Sequence, residues 1–308
     1  PSIHPSIHSS HGQSPVRFAP GSQLITRILT FVLNVVIARS LSLAGYGVSS
    51  VQFHLINSSI VFLAREGVRR SCLRSSSDDA SLIAGSLVAI PAGLVLASVS
   101  GAFFHARGNA AAVMQCIAAF VEVLSEPMYI LATRRNWFGM RTGCEAVAMV
   151  AKNLVSVWLL NSTAFAWMEP TVAVSWGQVA YGCVLLACFA MGTWVLTLGS
   201  RGGGEDDGVR SVSRSGASFY SFYATFTFQA AGKLVLAEGS KAMLAMVTSE
   251  DVQGVYGLVN NLGSLVVRTL FQPFEELVFV TFSGGVGGDE QTSSRKRQAE
   301  LLAATDPA

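Results

Sequence analysis

Residues 253–282 read QGVYGLVNNLGSLVVRTLFQPFEELVFVTF. Roughly 20 apolar residues suffice to cross a bilayer, and this stretch is long enough to do so. Yet it carries Arg268, Glu275 and Glu276, with Pro273 among them. A charge near the bilayer centre costs about 3 kcal/mol or more, so it normally faces protein or water. At the helical period, Asn261, Ser264, Arg268, Gln272 and Glu275 fall within about a quarter of the circumference, while Leu262, Val266, Leu270 and Phe279 point elsewhere. Pro273 has no N–H for the carbonyl of Thr269, which predicts a kink and a freed acceptor.

The rest of the chain extends this pattern. Of its 308 residues 51% are hydrophobic and 13% charged, whereas about a quarter of a soluble domain is charged. Eight apolar stretches stand out, at 22–42, 46–64, 81–104, 110–133, 141–163, 172–199, 222–247 and 253–283. Lys233, Glu238 and Lys241 make the seventh the weakest. No alternating runs of the kind a membrane barrel needs are present. The expected fold is all-α, a polytopic membrane helical bundle. Residues 1–21 read as a disordered extension, because PSIHPSIH is a tandem repeat. His4 and His8 belong to that repeat and His11 follows it; they are not read as a metal site. Residues 200–218 (SRGGGEDDGVRSVSRSGAS) form a flexible cytosolic linker. They separate a first lobe at 22–199 from two helices at 219–283, with a further cytosolic segment at 284–308.

Basic residues alternate between loops. Arg65, Arg69, Arg70 and Arg74 follow the second span, Arg134 and Arg135 the fourth, Arg201, Arg210 and Arg214 the sixth, and Arg295, Lys296 and Arg297 the eighth. The intervening loops hold only Arg107. Under the positive-inside rule both ends are cytosolic. The net charge of +2 and the scattered basic clusters give no reason to expect a nucleic-acid partner. The five cysteines show no paired spacing and read as small core residues. Asn161-Ser162-Thr163 is a glycosylation sequon in a non-cytosolic loop.

Polar stripes recur in other spans: Gln23, Arg27, Thr30 and Asn34; His54, Asn57, Ser58 and Arg65; Gln115, Glu122, Glu126 and Tyr129; Arg141, Glu145, Lys152 and Ser156. A single stripe is satisfied by packing on another helix with Arg paired to Glu. Five stripes of mixed charge point to a hydrated cavity, hence to transport. Glu122 and Glu126 have the spacing of an acid–base pair. No nucleophile, metal triad or sugar-nucleotide motif accompanies them, so no enzyme, cofactor or metal is expected. Arg65, Arg69 and Arg70 are candidates for an anionic headgroup contact, and Pro127 in SEP (125–127) predicts a kink.

The stretch QGVYGLVNNLGSLVVRTLFQPFEE (253–276) resembles the signature of the Man(5)GlcNAc(2)-diphosphodolichol translocation protein family. These proteins belong to the multidrug/oligosaccharidyl-lipid/polysaccharide exporter superfamily. RILTFVLNVVIARSLS (27–42), VFLAREGVRRSCL (61–73) and EVLSEPMYILA (122–132) are similar to its opening helix, first cytosolic loop and fourth span. The resemblance implies a two-lobed exporter-type fold, here ending after the eighth helix. It implies a dolichol-diphosphate-linked oligosaccharide as cargo, flipped across the endoplasmic reticulum membrane for N-glycosylation, with membrane lipids and the N-glycosylation machinery as partners. An accessory role without transport is the competing view. Arg27, Asn34, Lys152, Asn260, Asn261, Arg268, Gln272 and Glu275 are the expected substrate-binding residues, with Pro127 and Pro273 as kinks. Ser125 stands where the family usually has glycine, and AEGSK (237–241) is a looser version of its charged stretch.

The topology is testable by labelling. Ser76→Cys, in a cysteine-free background of the full-length protein, is expected to react with an impermeant thiol reagent in sealed microsomes. Arg107→Cys is expected to react only after permeabilisation.

Overall fold

The computed structural model describes residues 20–74, 79–200, 216–271, 274, 275 and 278. They are overwhelmingly helical, and no strand occurs among them. The chain divides into two compact units, 1–257 and 258–308.

The first unit is built from helices in the expected order. These are α1 (Pro20–Ser40), the single turn α2 (Leu43–Gly47), a π-helical turn (Val48–Gln52) and α3 (Phe53–Arg74). Next come α4 (Asp79–Ser86), α5 (Ala89–Ala106), α6 (Ala110–Val123) and α7 (Glu126–Arg134). Then follow α8 (Phe138–Asn161), α9 (Pro170–Ser200), α10 (Gly216–Val247) and the start of α11 (Glu250–Val266). Among the described residues five helical stretches are long and apolar enough to cross a membrane by length and composition: Leu43–Cys72, Leu82–Ala106, Ala110–Arg134, Phe138–Asn161 and Pro170–Thr197. α10, interrupted by Lys233, Glu238 and Lys241, is not among them. The large side chains Leu94, Val95, Val99 and Phe103 on α5, and Trp194 and Val195 on α9, are exposed. Water would penalise such a surface and a lipid environment would not. The chain is an all-α polytopic membrane bundle.

Two of the spans are interrupted at prolines. α4 gives way to α5 just ahead of Pro91, and α6 to α7 just ahead of Pro127. In each case the proline has no N–H to offer the carbonyl four residues back. Between helices, Gly108 with φ +70° ends α5, where a left-handed residue is suited to glycine. The Asn109 side chain then caps α6 by accepting from Ala112 N at 2.9 Å.

The expected loop after residue 64 is helix instead. α3 continues to Arg74, which places Arg65, Arg69 and Arg70 on its last turns. The linker expected at 200–218 lies largely outside the described residues.

Small residues set the helix spacing. Val68, Ala64, Ala119 and Val123 form one core between α3 and α6, and Ala132, Ala148, Leu185 and Phe189 another between α7, α8 and α9. A Cβ on Gly182 of α9 would stand 3.2 Å from the Ala118 carbonyl oxygen of α6. A Cβ on Gly177 would stand 2.8 Å from the Lys152 carbonyl oxygen of α8 and collide with Ser156 Oγ. α10 lies antiparallel on α3, with Gly67 under Thr227 at one end and His54 opposite Glu238 at the other.

In the second unit, residues 258–266 finish α11 and a π-helical turn follows at Val267–Phe271. Pro273 lies outside the described residues.

Gly177→Val overpacks the α8–α9 contact and is expected to cost about 1–3 kcal/mol, read as a lower melting temperature in detergent. Gly143→Ala, where nothing lies within 4 Å of the added carbon, is expected to leave it unchanged or slightly raised.

Candidate functional site

The polar stripes of the second and fourth spans face each other. Arg65 and Arg69 stand one turn apart on α3, and Glu122 and Glu126 one turn apart at the α6–α7 junction. Arg65 Nη1 donates to Glu122 Oε1 at 3.0 Å. Arg69 grips Glu126 with two parallel bonds, Nε to Oε1 and Nη2 to Oε2, the latter at 2.8 Å. Asn57 Nδ2 adds a bond to Glu122 Oε2 at 3.3 Å. Glu126 is only 1% exposed, so its charge depends on this fork. Bidentate guanidinium–carboxylate geometry is among the strongest charge-assisted pairings.

Sequence chemistry positions the carboxylates. The break before Pro127 lets the chain turn between Glu122 and Glu126, and the Glu122 carbonyl accepts from both Ser125 Oγ at 2.8 Å and Ser125 N at 3.2 Å. Tyr129, one turn further on, lies under the Arg69 guanidinium at 3.6 Å. Arg141 approaches the same ring at 4.9 Å. Such stacking helps hold arginine where water is scarce. Arg141 also reaches Glu145 at 3.8 Å, and Arg70 reaches Glu66 at 2.6 Å.

Lys152 of α8 is the exception. Arg65, Arg69, Arg141 and Lys241 each have a carboxylate within ion-pair distance, and Lys152 has none among the described residues. Glu122, already engaged by Arg65, is the carboxylate whose field reaches it. Near it on the same helix, Asn153 Nδ2 and Ser156 Oγ are buried with no hydrogen-bond partner, as is Asn57 Oδ1 on α3. Lys152 therefore lies beside buried polar atoms that have unused hydrogen-bonding capacity.

A second polar group joins α3 to α10. His54 Nε2 lies 3.2 Å from Glu238 Oε1, and Lys241 Nζ donates to Glu238 Oε2 at 2.8 Å. Nearby, Gln52 Nε2 donates to Gln253 Oε1 at 3.1 Å. Gln253 is buried and donates in turn to the Thr248 carbonyl at 3.0 Å. Gln115 and Ser175 link α6 to α9 at 3.3 Å. Among the described residues no group of three or more His, Cys, Asp or Glu side chains could hold a metal.

The expected substrate-binding residues are placed as follows. Lys152 lies in the charge cluster, and Asn34 is half-buried on α1. Arg27 belongs to α1, but its side chain lies outside the described residues. In the second unit, Asn260 is exposed, Asn261 is half-buried and its carbonyl accepts from Ser264 Oγ at 2.8 Å, and Glu275 is exposed. Arg268 falls in the π-helical turn, with its side chain outside the described residues, as is Gln272. Sequence reasoning did not match Arg65 and Arg69 with Glu122 and Glu126. The signal was available, since both pairs share the spacing of one helical turn. Nothing in the sequence pointed to Gln253 as a buried contact for Gln52.

Comparison with known proteins bears on the whole chain. The profile of the Rft-1 family, described as Rft protein, matches residues 13–305. A Dictyostelium discoideum protein named Man(5)GlcNAc(2)-PP-dolichol translocation protein RFT1 is 27% identical over 85% of this chain and 53% of its own length. Proteins of the same name from Mus musculus and Schizosaccharomyces pombe are 28% and 27% identical, over 92% and 89% of this chain and 57% and 56% of theirs. The chain thus spans about half the length of the curated relatives it matches. No solved structure matches it.

Removing one partner of a buried pair leaves an uncompensated charge, at a cost of about 3–5 kcal/mol. Glu126→Ala is therefore expected to lower thermal stability markedly. The double change Arg69→Met with Glu126→Leu, which removes both charges, is expected to recover most of it in a double-mutant cycle.

Proposed function

The chain belongs to the Rft protein family, and on that premise we propose that it takes part in moving a dolichol-diphosphate-linked oligosaccharide across the endoplasmic reticulum membrane for protein N-glycosylation. The names of its relatives support this reading. Lys152 carries it on the structural side, as a cation in a membrane-spanning helix with no carboxylate of its own. Such a charge is costly in the membrane unless something offsets it, and a diphosphate anion is a fitting counter-charge.

In this reading Lys152, Arg27 and Arg268 offset the diphosphate. Asn34, Asn260, Asn261, Gln272 and Glu275 hydrogen-bond sugar hydroxyls, whose many donors and acceptors must exchange water for protein partners during passage. The polyisoprenoid tail stays in lipid, so only the head group crosses. The polar residues act by binding, and no bond of the cargo is made or broken. The N-terminus is cytosolic, and the chain supplies a first lobe and the beginning of a second.

A second reading, an accessory protein of the glycosylation machinery without a transport step, draws on a different observation. Arg65, Arg69, Glu122 and Glu126 close on one another, as a structural role would require.

Reconstitution separates the two. Full-length protein in liposomes is expected to accelerate leaflet exchange of a labelled dolichol-diphosphate oligosaccharide. Lys152→Gln is expected to slow it by about tenfold, the value of one lost charge-assisted hydrogen bond. No acceleration by wild type that still supports cellular N-glycosylation would favour the accessory reading. Arg268→Ala is expected to impair N-glycosylation in cells at unchanged expression, and intact glycosylation would remove Arg268 from the site.

A further inference from the structure

His54 occupies the interior of the membrane-spanning stretch Leu43–Cys72. Its Nε2 meets Glu238 Oε1 at 3.2 Å, and the other oxygen of that carboxylate is held by Lys241 at 2.8 Å. The Glu238 side chain is 17% exposed and that of His54 48%. The imidazole thus has one nitrogen fixed against α10, while Nδ1 has no hydrogen bond to a described residue. Glu238 and Lys241 of α10 and Lys152 of α8 are the charged groups that act on it. On the other helices packed against α3, Glu122 and Glu126 are taken up by Arg65 and Arg69.

An ionisable side chain placed inside a span is costly and has a functional role by default. Histidine is the side chain whose ordinary titration lies in the physiological range. A proton from water can add to the Nδ1 lone pair without breaking the bond from Nε2–H to Glu238. No other reactant is needed. The triad then passes from neutral to singly positive.

We propose that His54, Glu238 and Lys241 form a proton-binding site that clasps α3 to α10, and that proton binding there is coupled to binding of an anionic lipid head group. The identity of the coupled ligand rests on the transport reading above; the proton site does not. The physical basis of coupling is charge. With Lys152 close by, a second cation is disfavoured while the site is empty and favoured once an anion is present. By linkage the proton then raises the affinity for the anion to the same degree.

Two measurements on the full-length protein test this. In detergent, with ring-labelled histidine, the His54 resonance is assigned by its absence in His54→Gln. It is expected to titrate, and its titration to shift to higher pH when farnesyl diphosphate is added, but not farnesol. A His54 signal that does not titrate, or that ignores the diphosphate, overturns the proposal. In liposomes, wild-type exchange of the labelled oligosaccharide lipid is expected to change by about tenfold across the titration of His54, while His54→Gln, which keeps a donor to Glu238, gives a flat profile. Identical profiles overturn the proton site and leave the transport reading standing. Titration with the diphosphate shift but no exchange at any pH supports the site and removes the transport step.

Discussion

Arg65 and Arg69 stand one helical turn apart on α3, and across from them Glu122 and Glu126 stand one turn apart at the α6–α7 junction. Each guanidinium finds its carboxylate only when the two spans run parallel in a single register. A shift by one turn would leave one arginine and one glutamate buried and unpaired, which costs several kcal/mol. The pairing thus chooses among arrangements that apolar packing alone would leave nearly equal in lipid, where one leucine surface is much like another. The remaining polar features are arranged around this register. It brings Asn57 to Glu122 and Tyr129 beneath Arg69.

Close packing is the other constraint. Without a hydrophobic drive between helices in a bilayer, association depends on fit and on short interhelical contacts. Gly177 and Gly182 bring α9 against α8 and α6 so closely that a methyl group would meet backbone. Gly67 does the same beneath α10, and Gly47 and Gly254 admit the first turn of α11 against α2. The polar contacts sit beside these approaches. Gln253 meets Gln52 next to Gly254, and Ser156 lies against Gly177.

Much of the fold was legible in the sequence, because span length and polar spacing are local properties. Helices fall on the first seven expected stretches and on the described part of the eighth, although the seventh is not among those long and apolar enough to cross a membrane, and the break in the fourth span sits at Pro127. The course of α3 beyond residue 64 was less legible. Arginines near a membrane boundary read as loop until their partners are known, and Glu122 and Glu126 lie far along the chain. Periodicity told which face of each helix is polar, but it could not tell whether that face meets water or another polar face. For the second and fourth spans the answer is another polar face. Lys152 looked like any other stripe residue, and only the pairing of its neighbours sets it apart.

The separation of the paired residues has a consequence for biosynthesis. Arg69 and Glu126 are 57 positions apart, with the whole of α4, α5 and α6 between them. At a synthesis rate of about 5–20 residues per second, α3 leaves the ribosome several seconds before its carboxylates exist. During that interval Arg65 and Arg69 have no counter-charge from the fourth span. The pairing that fixes the register of the second span therefore forms only after the fourth has been made.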